Sequence, residues 1–327
     1  MYGPPMVTST TEAIPYTEHD KLGPLGGKSP ALTSDAELRG VLIHEFEATA
    51  AAARAAAATV ERGASAAVHD TRKALRRARA VLSLIADALP KSERRAVKAA
   101  LQEARRSLSS VRDHAVAPET LGALALGDED RQTAKQVLDN AAEAMPAHAE
   151  IKQLLADSAG RVAAQVEALA AALPAEISWS TLAEGVRVVY SRARHARRKA
   201  KGSTSQFHNW RRRSKELAYQ LEVVAQHAGA RAEKIHAELE EVTDTLGPAV
   251  DLIMLREFVR TYAQGVTPEA LEHLETAIEA QLGDLMKTAR KAGRDTFDRS
   301  AHSFAKRLGR AVKKDLAPAE PPAAEAS

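Results

Sequence analysis

The sequence predicts an all-α protein, and three observations carry that prediction. Apolar residues make up 45% of the 327 and are mostly Ala, Leu and Val, while aromatics reach only 4%. Ala and Leu favour helices, and residues that favour strands are thin. Hydrophobic spacing is helical along nearly the whole chain, with no convincing alternation at period two. Prolines at Pro90, Pro118, Pro146, Pro174, Pro248 and Pro268 fall between the periodic stretches, where helices end.

Taken in order, residues 1–33 hold Pro4, Pro5, Pro15, Pro24 and Pro30 among four glycines and should form a disordered leader. Ser34 and Glu37 have capping-box spacing and open a first helix over 34–62. Helices are expected next at 66–89, 91–112, 130–143, 147–172, 180–201, 205–228, 231–246 and 250–264. A last one, broken within, covers 268–312, and residues 315–327 should form a loose tail ending APAEPPAAEAS.

The chain repeats itself. Residues 68–85 read VHDTRKALRRARAVLSLI and residues 207–224 read FHNWRRRSKELAYQLEVV. Both place His, then Arg three residues on, then a cation seven on: His69, Arg72 and Arg76, against His208, Arg211 and Lys215. LSSVRD ending at Asp113 answers LGPAVD ending at Asp251, and Ala193–Arg194 resembles Gly293–Arg294. Two related helical bundles of about four helices each are the simplest explanation, over residues 34–202 and 203–314.

The net charge of +3 hides strong segregation. Arg187 to Lys215 contains eleven Lys or Arg and no Asp or Glu, and Arg72 to Arg112 contains twelve basic residues against three acidic ones. Lys287 to Lys314 adds ten against two. Such clustering points to a polyanionic partner. The chain has no cysteine, which excludes disulfides and thiolate metal sites and suits a cytoplasmic protein. It has no apolar run of membrane-spanning length and no secretory signal at its start.

At 100° per residue, His69, Arg72, Arg76 and Arg79 fall within about 80° of one another, with Lys73 and Arg77 widening the sector. Leu75, Ala78, Leu82 and Ile85 take the other side. His208, Arg211, Arg212, Lys215 and Tyr219 share a second face, and Arg187, Tyr190, Arg194, Arg197, Arg198 and Lys201 a third. Like charges this close repel by several tenths of a kcal/mol per pair, so an anion that relieves them gives a reason for the rows. Arg suits the task because its planar fork donates two parallel hydrogen bonds to phosphate oxygens. Asp113 and Asp251 are expected to orient an arginine.

These residues carry a resemblance. AVHDTRKALRRARAVL, Arg112–Asp113, Tyr190-x-x-Ala193–Arg194, FHNWRRRSKELAYQLE and Gly293–Arg294 with Phe297 and Phe304 are similar to the CHAD family, the conserved histidine α-helical domain, over about residues 35–312. The resemblance implies two four-helix bundles related by a pseudo-twofold axis, with the His-bearing helices lining a basic central channel. It also implies inorganic polyphosphate as the ligand, a location at polyphosphate granules, and Arg112, Arg213, Arg290 and Arg294 as further members of the binding set. Glu216 and Ala218 stand where the family's second His helix usually carries cations, and Val250 stands where an Asn usually precedes the aspartate. The first repeat is therefore expected to bind more strongly than the second.

Two other classes are set against this reading. His69–Asp70 superficially suits a metal-dependent phosphohydrolase, but that chemistry needs further His and Asp ligands, and carboxylates are scarce on the three basic faces. No enzymatic activity and no cofactor are expected. Nucleic acid is the serious alternative partner, since basic helices grip any phosphate backbone. Against it, few aromatics are available to stack bases.

Overall fold

Helices α1 to α11 make up nearly all of the computed structural model, which describes residues 35–201 and 203–316. No strand occurs among the described residues. The expected leader, the Ser34 cap and most of the expected tail lie outside them.

The helices are α1 (Asp35–Thr59), α2 (Ala64–Leu84), α3 (Lys91–Ser107), α4 (Ser109–Gly122), α5 (Asp128–Glu143), α6 (His148–Ala172), α7 (Trp179–Lys199), α8 (Thr204–Ala228), α9 (Ala230–Thr261), α10 (Pro268–Thr296) and α11 (Ala301–Asp315). Several begin on side-chain caps that satisfy otherwise orphaned amides. Ser178 accepts from the Thr181 amide, Ser203 from Gln206, Thr267 from Ala270 and Ser300 from Ser303. Pro268 follows Thr267 at a position whose amide needs no partner.

Three boundaries differ from expectation. The helix expected over 91–112 breaks at Leu108, and α4 continues past Pro118 to Gly122. The two helices expected over 231–264 are one, α9, running through Pro248. Both prolines are exposed, so the carbonyls four residues back that lose their amide partners need not be sealed from water. Asp315, expected in the tail, ends α11 and caps α9: its carboxylate accepts from the Arg231 and Ala232 amides at 3.0 and 3.1 Å.

In one packed group α1 lies against α2 and α6, and α3 lies against α6 and α2. In the other, α8 lies against α7 and α9, α10 against α9, and α11 against α7 and α9. Helix α7 thus packs with the second group, although the sequence placed it within residues 34–202. The groups meet where α2 crosses α8 and α4 crosses α9. One apolar cluster runs through both, with Phe46, Tyr190, Phe207, Trp210 and Phe297 among its largest fully buried side chains. Two glycines permit the closest approaches. A Cβ on Gly185 would strike the Leu84 carbonyl, and one on Gly293 would lie 2.5 Å from Cζ2 of Trp210.

Candidate anion-binding site

The crossing of α2 and α8 decides the site. Helix α2 is buried on two sides: Leu75, Ala78, Leu82 and Ile85 sit in the core, and Arg72, Lys73 and Arg77 are also buried. The face that helical spacing assigned to cations is turned inward, toward α3, α4 and α8. The expected rows therefore meet each other before they meet solvent.

Arg72 is a buried cation of this crossing. Its Nη1 donates to the Arg105 carbonyl at 3.0 Å, while its Nε is buried with no hydrogen-bond partner among the described residues. Burial, then Arg76, Arg112 and Arg105, pull its pKa down to about 9, against a small opposing effect from Asp113. Arg211 of α8 is in the same position: burial lowers its pKa, Asp251 opposes, and Arg76 and Arg112 lower it further. Arg105 of α3 is also lowered, by burial and then by Arg79, Arg76, Arg106 and Arg212. Arg79 and Arg212 show the same direction, again chiefly through burial. His208 is lowered by burial, then by Arg211, Arg212, Arg105 and Arg112. Neighbouring arginines add to the effect of burial at each of these groups, opposed by Glu216 at Arg79 and Arg212 and by Asp251 at Arg211.

The nearby acids are mostly committed. Arg112 donates to Asp113 at 3.0 Å and to Asp251 of α9 at 2.7 Å, and this pairing keeps its charge despite burial. Arg213 pairs with Glu216 at 2.7 Å, and Lys215 lies 3.9 Å from Asp244. Arg72, Arg76, Arg105 and Arg211 have no carboxylate partner among the described residues. His69 is half-buried on the α2 face, and Tyr219 is buried near Arg211.

A second basic cluster forms between α7 and α10. Arg194 donates to the Phe297 and Asp298 carbonyls, both at 3.1 Å, which closes the C-terminal end of α10. Arg197 donates to the Arg290 carbonyl at 3.3 Å, and Arg290 to the Ala200 carbonyl at 2.9 Å. Burial lowers the Arg197 pKa, followed by Arg294 and Arg198. Arg198, Lys201 and Arg294 are exposed.

Three expected site residues lie elsewhere. Arg77 is buried in an ion network with Glu45 at 2.5 Å and Glu222 at 2.6 Å, joined by Gln226 at 2.6 Å. It holds α1, α2 and α8 together, because a buried cation needs carboxylates around it. Tyr190 is fully buried, stacks on Phe304 with ring centroids 4.1 Å apart, and donates to the Thr296 and Arg299 carbonyls. Arg187 pairs with Glu184 one turn back and lies near Asp87, at the opposite end of α7 from its other cations. The angular sector that grouped these with the site could not tell which neighbour each side chain would meet.

Arg105 was missed in the sequence. It lies outside both repeated His motifs, and only the break at Leu108 and the packing of α2 on α3 bring it to Arg72. Among the described residues, no three His, Asp or Glu side chains come together as metal ligands, and no helix is long and apolar enough to cross a membrane.

The crystal structure of the CHAD domain from the plant Ricinus communis has a similar fold, with a TM-score of 0.57 and 18% sequence identity over 86% of this chain and 99% of that one. No curated protein matches the chain. The CHAD domain family model matches residues 45–260, which include both His motifs, Arg105, Arg112–Asp113 and Asp251 and stop short of Arg290 and Arg294. That match covers most of the chain, and the chain belongs to the CHAD domain family.

Proposed function

We propose that this protein binds inorganic polyphosphate in the arginine cluster where α2, α3, α4 and α8 meet, without hydrolysing it, and that it associates with polyphosphate granules. The observation that carries the reading is the cluster of guanidiniums at Arg72, Arg76, Arg105 and Arg211, none of which has a carboxylate partner among the described residues. A buried charge without a counterion is costly, and crowding several raises that cost. A polyanion offsets both, and phosphate oxygens match the arginine fork. Membership of a family linked in general to polyphosphate binding adds support.

The helix order supports a further reading, two bundles related by a pseudo-twofold axis. Helices α3 and α4 in the first half correspond to the single α9 in the second, and the His-bearing α2 and α8 pack on each other. Such an axis would bring both halves to one basic channel. Binding without turnover fits the site's carboxylates, because Asp113 and Asp251 are both engaged by Arg112.

The test compares gel shifts with long-chain polyphosphate and duplex DNA at equal phosphate concentration and physiological salt. A clear preference for polyphosphate is expected. Equal or stronger binding of DNA would favour a nucleic-acid partner instead. A parallel incubation of polyphosphate with protein and magnesium or manganese should release no phosphate above background.

A further inference from the structure

We infer that Arg105, on α3 and outside both repeated His motifs, is a direct phosphate-binding residue and makes the first half of the site its stronger end. The inference builds on the polyphosphate reading and assigns it a residue that neither motif contains.

Three features single Arg105 out. Its carbonyl accepts from the Arg72 guanidinium at 3.0 Å, which sets Arg105 directly beside Arg72. Its own Nε is buried without a hydrogen-bond partner among the described residues. The charged neighbours that act most on it, Arg79, Arg76, Arg106 and Arg212, are all cations drawn from three helices. Among the described residues no carboxylate pairs with Arg105, whereas a phosphate oxygen would explain a cation held there.

The second half shows the contrast. The offset that relates Asp113 to Asp251 carries Arg105 onto Thr243 and Arg106 onto Asp244. Thr243 is fully buried and uncharged, and Asp244 lies 3.9 Å from Lys215, the cation that answers Arg76. One half therefore has the cation Arg105 where the other has an uncharged threonine, and an acid stands where the first half has Arg106. The ligand should anchor beside Arg72 and Arg105.

The neighbouring Arg106 provides a control, being exposed and of equal charge. Long-chain polyphosphate affinity is measured for wild type, Arg105→Gln, Arg105→Lys and Arg106→Gln across a salt series, with thermal melting alongside. Arg105→Gln should bind tenfold or more weakly, as expected when a charge-assisted hydrogen bond is removed, and its salt slope should fall by about one. Arg106→Gln should lose less than about threefold. Arg105→Lys should keep most of the slope yet lose severalfold in affinity, because an ammonium lacks the fork. The melting temperature of Arg105→Gln should equal or exceed that of wild type. If Arg105→Gln binds like wild type, or no worse than Arg106→Gln, the inference is wrong while the polyphosphate reading stands. If Arg105→Gln fails to fold, the lysine variant decides, and wild-type affinity there overturns the direct contact. A wild-type protein that does not bind polyphosphate overturns both.

Discussion

Arg112 of α4 reaches Asp251 of α9 at 2.7 Å while also holding its own neighbour Asp113 at 3.0 Å. One guanidinium thus joins the two packed groups and spends its charge on protein carboxylates. Asp251 also opposes the charge crowding on Arg211. Replacing Asp251 by Asn removes an anion from the site and breaks a largely buried pair. Stability without ligand should fall by about 1–3 kcal/mol, as one buried partner loses its match. Polyphosphate affinity should rise severalfold, and the ligand-induced gain in melting temperature should grow. Calorimetric melting with and without polyphosphate checks both, and weaker binding would mean that Arg112 must be oriented before it can serve the site.

Reversal of Arg72 and Arg76 to Glu tests whether the cluster, and not overall charge, binds the ligand. Two charge-assisted hydrogen bonds at roughly 1.5–3 kcal/mol each predict a hundredfold or greater drop in affinity. The melting temperature should hold or rise, because like-charge crowding is relieved. Lys91 and Lys98 are exposed on α3 and provide a control of equal charge change. An equal drop in the Lys91/Lys98 variant would show a diffuse field effect and defeat the site.

Much of this was readable in the sequence for a physical reason: helical periodicity and the twofold recurrence of His, Arg and a cation are local patterns. They identified α2 and α8 and placed Arg72, Arg76 and Arg211. What they could not supply was contact between helices. Arg77 and Arg72 fall in one wide basic sector of α2, about 140° apart, yet α1 offers Glu45 to the first and α3 only a carbonyl to the second. Tyr190 sits among arginines in sequence, but α11 presents Phe304 and covers it. Pro118 and Pro248 signalled helix ends that water-facing positions made unnecessary. Local spacing shows which residues share a face, and packing decides what that face meets.

The Arg77 network yields a prediction opposite to that for Arg72. Arg77→Met strands Glu45 and Glu222 in the core, and breaking a buried pair in this way costs about 3–5 kcal/mol. Burial opposes the Arg77 charge, but the hydrogen bond to Glu45 and the field of Glu222 outweigh it and push the pKa above its usual value. Chemical denaturation should show a large loss of stability, while the folded protein keeps near-wild-type polyphosphate affinity. A large affinity loss at unchanged stability would return Arg77 to the binding site.

His208 sets the expected pH dependence. The folded protein holds the His208 pKa below its usual 6.5, chiefly by burial and then through four arginines. Below about pH 6.5 the unfolded chain takes up a proton that folded His208 resists, so ligand-free stability should decline as pH falls through that range. Bound polyphosphate neutralises those arginines, so the decline should shrink with ligand present and affinity should strengthen toward pH 5.5. On the alkaline side, burial and the neighbouring arginines hold the Arg72 pKa down, but a guanidinium keeps its charge there, so stability and affinity should level off once His208 is neutral. Melting and binding curves from about pH 5.5 to 10 should show the acidic trend and the plateau, and His208→Gln should flatten the acidic trend. An affinity independent of pH across the acidic range would exclude His208 from contact with the ligand.

The α7–α10 cluster poses the remaining question, since its arginines are steadied by main-chain carbonyls and two of its members, Arg198 and Arg294, are exposed. If a long chain neutralises six to ten cations across both clusters, affinity should fall by roughly 10³–10⁵ between 50 and 200 mM salt, on the scale known for duplex DNA. Tripolyphosphate, too short to engage many cations, should bind far more weakly and with a shallower slope, because each further contact of a tethered chain forms at high effective concentration. Replacing Arg198 and Arg294 with Gln then separates the two clusters. The double variant should lower the salt slope by about two for the long chain, one for each phosphate that is no longer neutralised, and leave tripolyphosphate binding unchanged. Both residues point to solvent, so melting should not change. If long-chain affinity and slope match wild type, the second cluster only fastens α7 to α10 and the ligand is confined to the crossing of α2 and α8. If tripolyphosphate binding falls as well, the two clusters act as one site even for a short ligand.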